Sequence, residues 1–264
     1  MDDNYQTYLN RVARMMLPEA YRSQVQHIQE SYKFQPAKNG GRQAVAFPGY
    51  TVMTPPWEEE TENLHFYGKL ENYQKEILQL TLNSDLIVPV PPASFHLTLA
   101  DVIWDDAFRD ACAKNPQFEE QLRRCFAEIF QQYQQAMTNN GIPIRWQILG
   151  LMIMPRAVGV CLVPQDQRCY EQIVNLRRAI YQNPQLIALG IEQQYHFTAH
   201  ITLGYFGEVP AQLDRDRLAT EFSDLNQQWL TDSPQFLVHR AELRKFDDMT
   251  RYYREPDWPV LNFS

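Results

Sequence analysis

Two short segments of the chain alternate strictly between apolar and polar side chains, and this alternation constrains the fold more than any other feature. In the first, Phe95, Leu97 and Leu99 alternate with His96 and Thr98. In the second, Tyr195 to Phe206, the apolar set Phe197, Ala199, Ile201 and Leu203 alternates with His196, Thr198, His200 and Thr202. A period of two sends successive side chains to opposite faces, so each segment is predicted to be a strand with one core face and one polar face. Each strand closes a matched unit. A strand near Val52, a helix at about 62–82 and the strand of His96 make the first; a strand near Val158, a helix at about 167–182 and the strand of His200 make the second. The two strands near Val52 and Val158 precede their histidines by 44 and 42 residues. The expected fold is therefore α+β, with two pseudo-symmetric lobes, each an antiparallel sheet with flanking helices, and a cleft where the two polar strand faces meet.

The remaining segments attach to this duplicated frame. Residues 1–43 are expected to form an N-terminal extension holding a helix through Tyr8, Leu9, Val12, Met15 and Met16, followed by a loop at 33–42 that contains Pro36, Gly40 and Gly41. Residues 44–264 are expected to form one bilobal domain. Its first motif lobe covers about 44–104, a helical insert about 105–140, and the second motif lobe with the C-terminal strands about 141–264. The helix at 62–82 carries a stripe of Phe66, Leu70, Tyr73, Ile77 and Leu80, and the helix at 167–182 carries Tyr170, Ile173, Leu176 and Ile180. In the insert, Asn115-Pro116 has the form of a cap followed by proline at the first helical position. Phe118, Leu122, Phe126, Ile129, Tyr133 and Met137 make its stripe, and Asn139-Asn140-Gly141 is expected to end it. A hairpin at 144–164 turning at Pro155-Arg156, a helix at 211–229 and strands within 235–246 and 258–263 complete the pattern.

Composition narrows the function classes. With 44% hydrophobic and 21% charged residues, the 264-residue chain is neither disordered nor fibrous. A net charge of −8 opposes coating of long nucleic acid, because the phosphate contribution would be repulsive overall, but it permits one phosphate in one local pocket. No apolar run approaches the roughly 18 residues of a membrane span. The N-terminus is acidic and lacks an apolar signal region. The four cysteines have no C-x-x-C spacing, and Cys161, in an apolar strand, belongs to a core. A cytoplasmic monomer with reduced thiols is expected.

The chemistry concentrates in one pattern. With six His and 12 Thr in the chain, chance placement gives well under one His-x-Thr, yet three occur: His96/Thr98, His196/Thr198 and His200/Thr202. On a strand each His shares a face with its Thr, and an imidazole beside a hydroxyl offers a phosphate both a titratable group and a short neutral donor. The two that close matched units, Phe95-His-Leu-Thr-Leu99 and Ala199-His-Ile-Thr-Leu203, resemble the paired His-Φ-Thr/Ser-Φ motifs of the 2H phosphoesterase superfamily. That superfamily includes bacterial 2′–5′ RNA ligase-like proteins and cyclic phosphodiesterases. The resemblance spans about residue 44 to the C-terminus and departs from the common pattern in the N-terminal extension and the insert.

The resemblance implies that His96 and His200 are the catalytic pair and that Thr98 and Thr202 hold the substrate. His196, in the extra copy of the motif, is expected to line the cleft. The implied activity is metal-independent phosphodiester chemistry on a 2′,3′-cyclic phosphate or a 2′–5′-linked nucleotide or RNA end, with no cofactor. One neutral imidazole takes a proton while one imidazolium gives one, and which His plays which part stays open at this point. A non-catalytic RNA- or nucleotide-binding module that retains the cleft is the alternative. A zinc site at His196-x3-His200 lacks the Glu of H-E-x-x-H and has the wrong period. Further along, Arg244, Arg251 and Tyr252 in a basic, tyrosine-containing stretch are candidate phosphate and base contacts. His27, His65 and His239 lie outside the motif.

Overall fold

In the computed structural model, which describes residues 2–81, 85–137, 142–229 and 234–263, the periodicities resolve into two sheets and their helices. The chain opens with α1 (Tyr5–Met15) and α2 (Pro18–Gln26), then a two-stranded ribbon of β1 (Phe34–Pro36) and β2 (Arg42–Ala44). β3 (Gly49–Met53) leads through short 3-10 turns to α3 (Leu64–Leu80), β4 (Ile87–Pro89) and β5 (Thr98–Trp104). α4 (Asp105–Lys114) and α5 (Phe118–Ala136) follow, then the hairpin β6 (Ile144–Met154) and β7 (Ala157–Pro164). α6 (Gln167–Tyr181), α7 (Pro184–Ala188) and β8 (His200–Phe206) come next. α8 (Arg215–Trp229), β9 (Gln235–Val238), β10 (Arg240–Asp248), β11 (Arg251–Tyr253) and β12 (Val260–Asn262) end the chain.

The first sheet has the order β11-β10-β3-β5, with β12 also paired to β10; the second has the order β4-β8-β7-β6-β9. Every pairing is antiparallel. The fold is thus α+β with two lobes, and each motif strand, β5 and β8, belongs to its own sheet. The helical stripes Phe66, Leu70, Tyr73 and Ile77 of α3 and Tyr170, Ile173, Leu176 and Ile180 of α6 are buried, as the 3.6-residue period demands. Burial of Tyr8, Val12, Tyr21 and Val25 places α1 and α2 in the core as well. No helix among the described residues is long and apolar enough to cross a membrane.

Several segments differ from the sequence expectation. The loop at 33–42 contains the β1–β2 ribbon, whose register pairs Phe34 with Ala44 and Pro36 with Arg42 around the Gly40-Gly41 turn. Both glycines have positive φ, +89° and +71°, a conformation open to residues without a side chain. Asn115 caps no helix start: it closes α4, its side-chain oxygen accepts from Gln117 N at 3.0 Å, and α5 begins at Phe118. The expected stop at Asn139 to Gly141 lies outside the described residues. Both motif strands are shorter than the alternation suggests, because their first residues take partners outside the ladder. Leu97 N donates to Thr54 Oγ1 at 3.0 Å, and Phe197 N donates to the Asp2 carboxylate at 2.7 Å.

Each unit's helix reaches the sheet of the other. α3 lies on the second sheet, where Gln74 Nε2 donates to Leu203 O of β8 at 2.7 Å and to Val90 O at 2.8 Å. α6 reaches the first sheet, where Arg177 Nη1 donates to Leu99 O of β5 at 2.9 Å and Tyr181 Oη to Asp101 O at 2.8 Å. Leu99 and Leu203 each follow a motif threonine directly, so each lobe's motif strand is held by a buried donor from the other unit's helix. Arg177 also donates to Tyr195 O at 3.0 Å and pairs with Asp2 at 2.7 Å; both side chains are only 4% exposed.

The expected cost of breaking these clamps differs in kind. Gln74→Leu leaves buried carbonyls short of a donor and should cost about 1–3 kcal/mol. Arg177→Met strands the Asp2 carboxylate without its countercharge and should cost about 3–5 kcal/mol. Urea denaturation of the two variants beside the parent measures both, and equal small losses would contradict the assignment.

Candidate active site

The polar faces of β5 and β8 meet in a cavity of about 490 Å³, and His96, Thr98, His200 and Thr202 all line it. The two histidines are held alike. His96 Nδ1 lies 2.7 Å from Ser94 O, and His200 Nδ1 lies 2.7 Å from Thr198 O. A carbonyl only accepts, so in both rings Nδ1 carries the proton and Nε2 is the nitrogen left for a ligand. Among the described residues the hydroxyls of Thr98 and Thr202 have no protein partner, although both residues line the cavity.

Beyond each threonine the strand departs from a simple alternation. The register between β3 and β5 skips Leu99, directly after Thr98, and again Val102, and that between β7 and β8 skips Leu203, directly after Thr202. Each skip is a β-bulge, which re-aims the residue beyond it. Asp101, three residues after Thr98, and Tyr205, three residues after Thr202, consequently line the same cavity. Alternation alone assigns both to the core face, so the sequence reading missed them.

Burial lowers the pKa of His96 from the ordinary imidazole value to about 4, and the nearby His200 and Arg244 reinforce this; the hydrogen bond to Ser94 O acts in the opposite direction. His96 is therefore neutral in the unliganded cavity at pH 7. Tyr252 packs on it with ring centroids 4.2 Å apart at 57°, and burial raises its phenol well above the usual range. Tyr252 thus lines the cavity as a neutral aromatic wall.

Two of the basic candidates lie elsewhere. Arg244 is buried and ion-paired with Glu242 at 2.6 Å and with Glu59, and its Nη1 donates to Tyr252 O at 3.2 Å. It holds β11 and the loop of Glu59 against β10 instead of facing a ligand. Arg251 is exposed and lies over the Tyr253 ring at 5.4 Å, outside the cavity lining. Both carboxylate partners of Arg244 become visible only once the sheet is assembled, which is why the basic stretch misleads. His196 does line the cavity, at an exposed position with Nδ1 3.9 Å from Asp3 Oδ1.

The extra His-x-Thr copy acts as a pedestal for the second motif. Thr198 offers its carbonyl to His200, and its hydroxyl accepts from Arg11 Nη1 at 2.6 Å while Arg11 Nη2 donates to Phe197 O at 2.7 Å. Sequence reading also missed the other wall residues. Trp104 and Tyr195 stack nearly parallel at 18° with centroids 6.4 Å apart, and Lys33 enters from the start of the β1–β2 ribbon. Among the described residues no three His, Cys, Asp or Glu side chains cluster as a metal site would require. The cysteines are free thiols, and burial pushes Cys161 up to about 12, as suits a core position.

No protein-family model matches the chain, and no curated protein matches it in sequence. Solved structures do. The chain is similar to the conserved protein of unknown function ATU0111 from Agrobacterium tumefaciens str. C58, with a TM-score of 0.59, 13% identity, and coverage of 92% of this chain and 97% of that one. It is also matched to TT0787 of Thermus thermophilus (TM-score 0.45, 12% identity, 81% and 97% covered). A third match is E. coli LigT complexed with 3′-AMP (TM-score 0.40, 14% identity, 83% and 99% covered). The likeness to ATU0111 is one of fold.

The His96 environment makes a stability prediction. Its folded pKa, about 4, lies below the roughly 6.5 of an unfolded chain, so the unfolded state binds more protons between those values. Stability should fall as pH drops through that window, by on the order of 2–3 kcal/mol from this group. Denaturation at pH 7, 5.5 and 4 should show a drop in the parent that is visibly smaller in His96→Gln.

Proposed function

We propose that the chain is a metal-independent phosphodiesterase that uses His96 and His200 as base and acid on a 2′,3′-cyclic phosphate or a 2′–5′-linked nucleotide or RNA end. The observation that carries this reading is the matched pair of imidazoles in one cavity, each with Nδ1 bound to a carbonyl and Nε2 left over, beside two hydroxyls without protein partners. A phosphoryl transfer needs a proton taken from one oxygen and given to another, and this arrangement supplies both ends.

For hydrolysis of a cyclic phosphate, neutral His96 takes a proton from water through Nε2 as the water oxygen bonds to phosphorus. The bond from phosphorus to one ribose oxygen breaks, and His200 Nε2 hands that oxygen its proton. Thr98 and Thr202 donate to the non-bridging oxygens and stabilise the charge that develops on them. Burial favours the neutral imidazole at His96, which gives it the base role in this direction; the reverse reaction exchanges the parts. The aromatic surface of Trp104, Tyr195 and Tyr252 suits the attached base, because stacking is tolerant of base identity. Arg177 and Arg11 position the motif segments through their backbone and Thr198 contacts.

The test is a panel of 2′,3′-cyclic nucleotides and 2′–5′ dinucleotides, read for turnover and for which ribose oxygen keeps the phosphate. His96→Ala and His200→Ala should each lower kcat by about 10²–10⁴ with little change in nucleotide affinity. Thr98→Val and Thr202→Val should lower it by about 10²–10³. Turnover should persist in EDTA; loss to the chelator and return with Zn²⁺ or Mn²⁺ would refute the mechanism. Tight nucleotide binding with no turnover by the parent would favour the binding-module alternative.

A further inference from the structure

Lys33 sits in the cavity in a setting that the two-histidine chemistry does not explain. Its Nζ lies 4.7 Å from the centroid of the Phe47 ring and 5.1 Å from that of Tyr205. No carboxylate among the described residues lies within ion-pair distance of it. The acidic groups that influence it, Asp101 and Asp105, act only from further away. An ammonium removed from water and left between aromatic faces is costly without a counter-ion, although the ring quadrupoles recover part of the loss. Burial accordingly lowers its pKa to about 8. Even so, most of the population remains charged at pH 7.

The backbone keeps the ammonium there. Val45 N donates to Lys33 O at 2.9 Å in the ribbon, Lys33 N donates to Ser31 Oγ at 3.3 Å, and Ser31 N donates to Phe206 O at the end of β8 at 2.8 Å. Lys33 is thereby tied to the strand of His200 but three residues beyond Thr202, beside Tyr205. At the usual strand rise the backbone of Tyr205 is at most roughly 10 Å from that of Thr202. The cavity, at about 490 Å³, is of the size that holds a whole small ligand, well beyond one phosphate.

We infer that Lys33 anchors a second anion subsite, so that the ligand class is a nucleotide carrying a further phosphate beyond the one at the His–Thr quartet. This rests on the phosphodiesterase reading only for the placement of the first phosphate. An arriving phosphate supplies the missing counter-ion and needs no rearrangement of the ribbon.

The test compares binding of adenosine 3′,5′-bisphosphate and adenosine 3′-monophosphate by calorimetry at constant ionic strength. The parent protein should prefer the bisphosphate by 10-fold or more; in Lys33→Met the ratio should fall towards one, and Lys33→Arg should retain a preference. As a measurement on the parent alone, the bisphosphate should protect Lys33 from reductive methylation and adenosine should not. A parent ratio near one, a ratio unchanged in Lys33→Met, or no binding of either nucleotide overturns the subsite. Turnover of 2′,3′-cyclic AMP, measured alongside, separates the two proposals. Turnover with a ratio near one removes the subsite alone, and a Lys33-dependent ratio without turnover removes the reaction alone.

Discussion

The arrangement of the cavity depends on one kind of contact, a buried donor from the helix of one unit bonded to the carbonyl that follows the motif threonine of the other. Gln74 does this for Leu203 and Arg177 for Leu99. Because each donor is buried, water cannot replace it, and the helix and strand must move together. Arg177 adds a second tie, since the same guanidinium binds Tyr195 O on the approach to the second motif. One side chain therefore spans the two motif segments, and Asp2 keeps it charged and oriented. Each imidazole is held locally, by the carbonyl two residues before it, and the cross-bracing fixes the strand that follows.

The proposed anion site has to be set against the acidity of the chain. The net charge is −8, whereas the cavity lining sets the Lys33 ammonium, Arg177 and three imidazoles against the single carboxylate of Asp101. On the proposed reading, long polyanions are disfavoured by the net charge, while a small anion feels the local groups. Arg244, one of the basic candidates, is taken up by Glu242, Glu59 and the Tyr252 carbonyl.

Elements governed by local periodicity were legible in the sequence. The stripes of α3, α5 and α6 and the β6–β7 hairpin stand close to their expected places, because the 3.6 and 2.0 periods act on neighbouring residues. His96, Thr98, His200 and Thr202 reach one cavity because the alternation puts all four on polar faces. What escaped was decided by contacts distant in sequence or by single-residue irregularities. The bulges at Leu99 and Leu203 bring Asp101 and Tyr205 inward against the period. The short ribbon of β1 and β2 is held by three register pairs, too few to mark the composition. The pairing of Asp2 with Arg177 crosses 175 residues and has no local signature.

The placement of α3 on the second sheet also bears on the order in which the chain can mature. The apolar stripe of α3 is covered by elements that come much later: Phe66 stacks on Phe236 with centroids 4.6 Å apart, and Tyr73 stacks on Trp229 at 3.8 Å. Tyr73 finds its partner 156 residues downstream. During synthesis the stripe stays bare until most of the second sheet has left the ribosome, so this half of the molecule has no finished surface of its own to offer earlier. Contacts of such long sequence separation slow folding and lengthen exposure to chaperones. The face of α3 is thus completed only by segments far downstream, from Leu203 of β8 to Phe236 of β9.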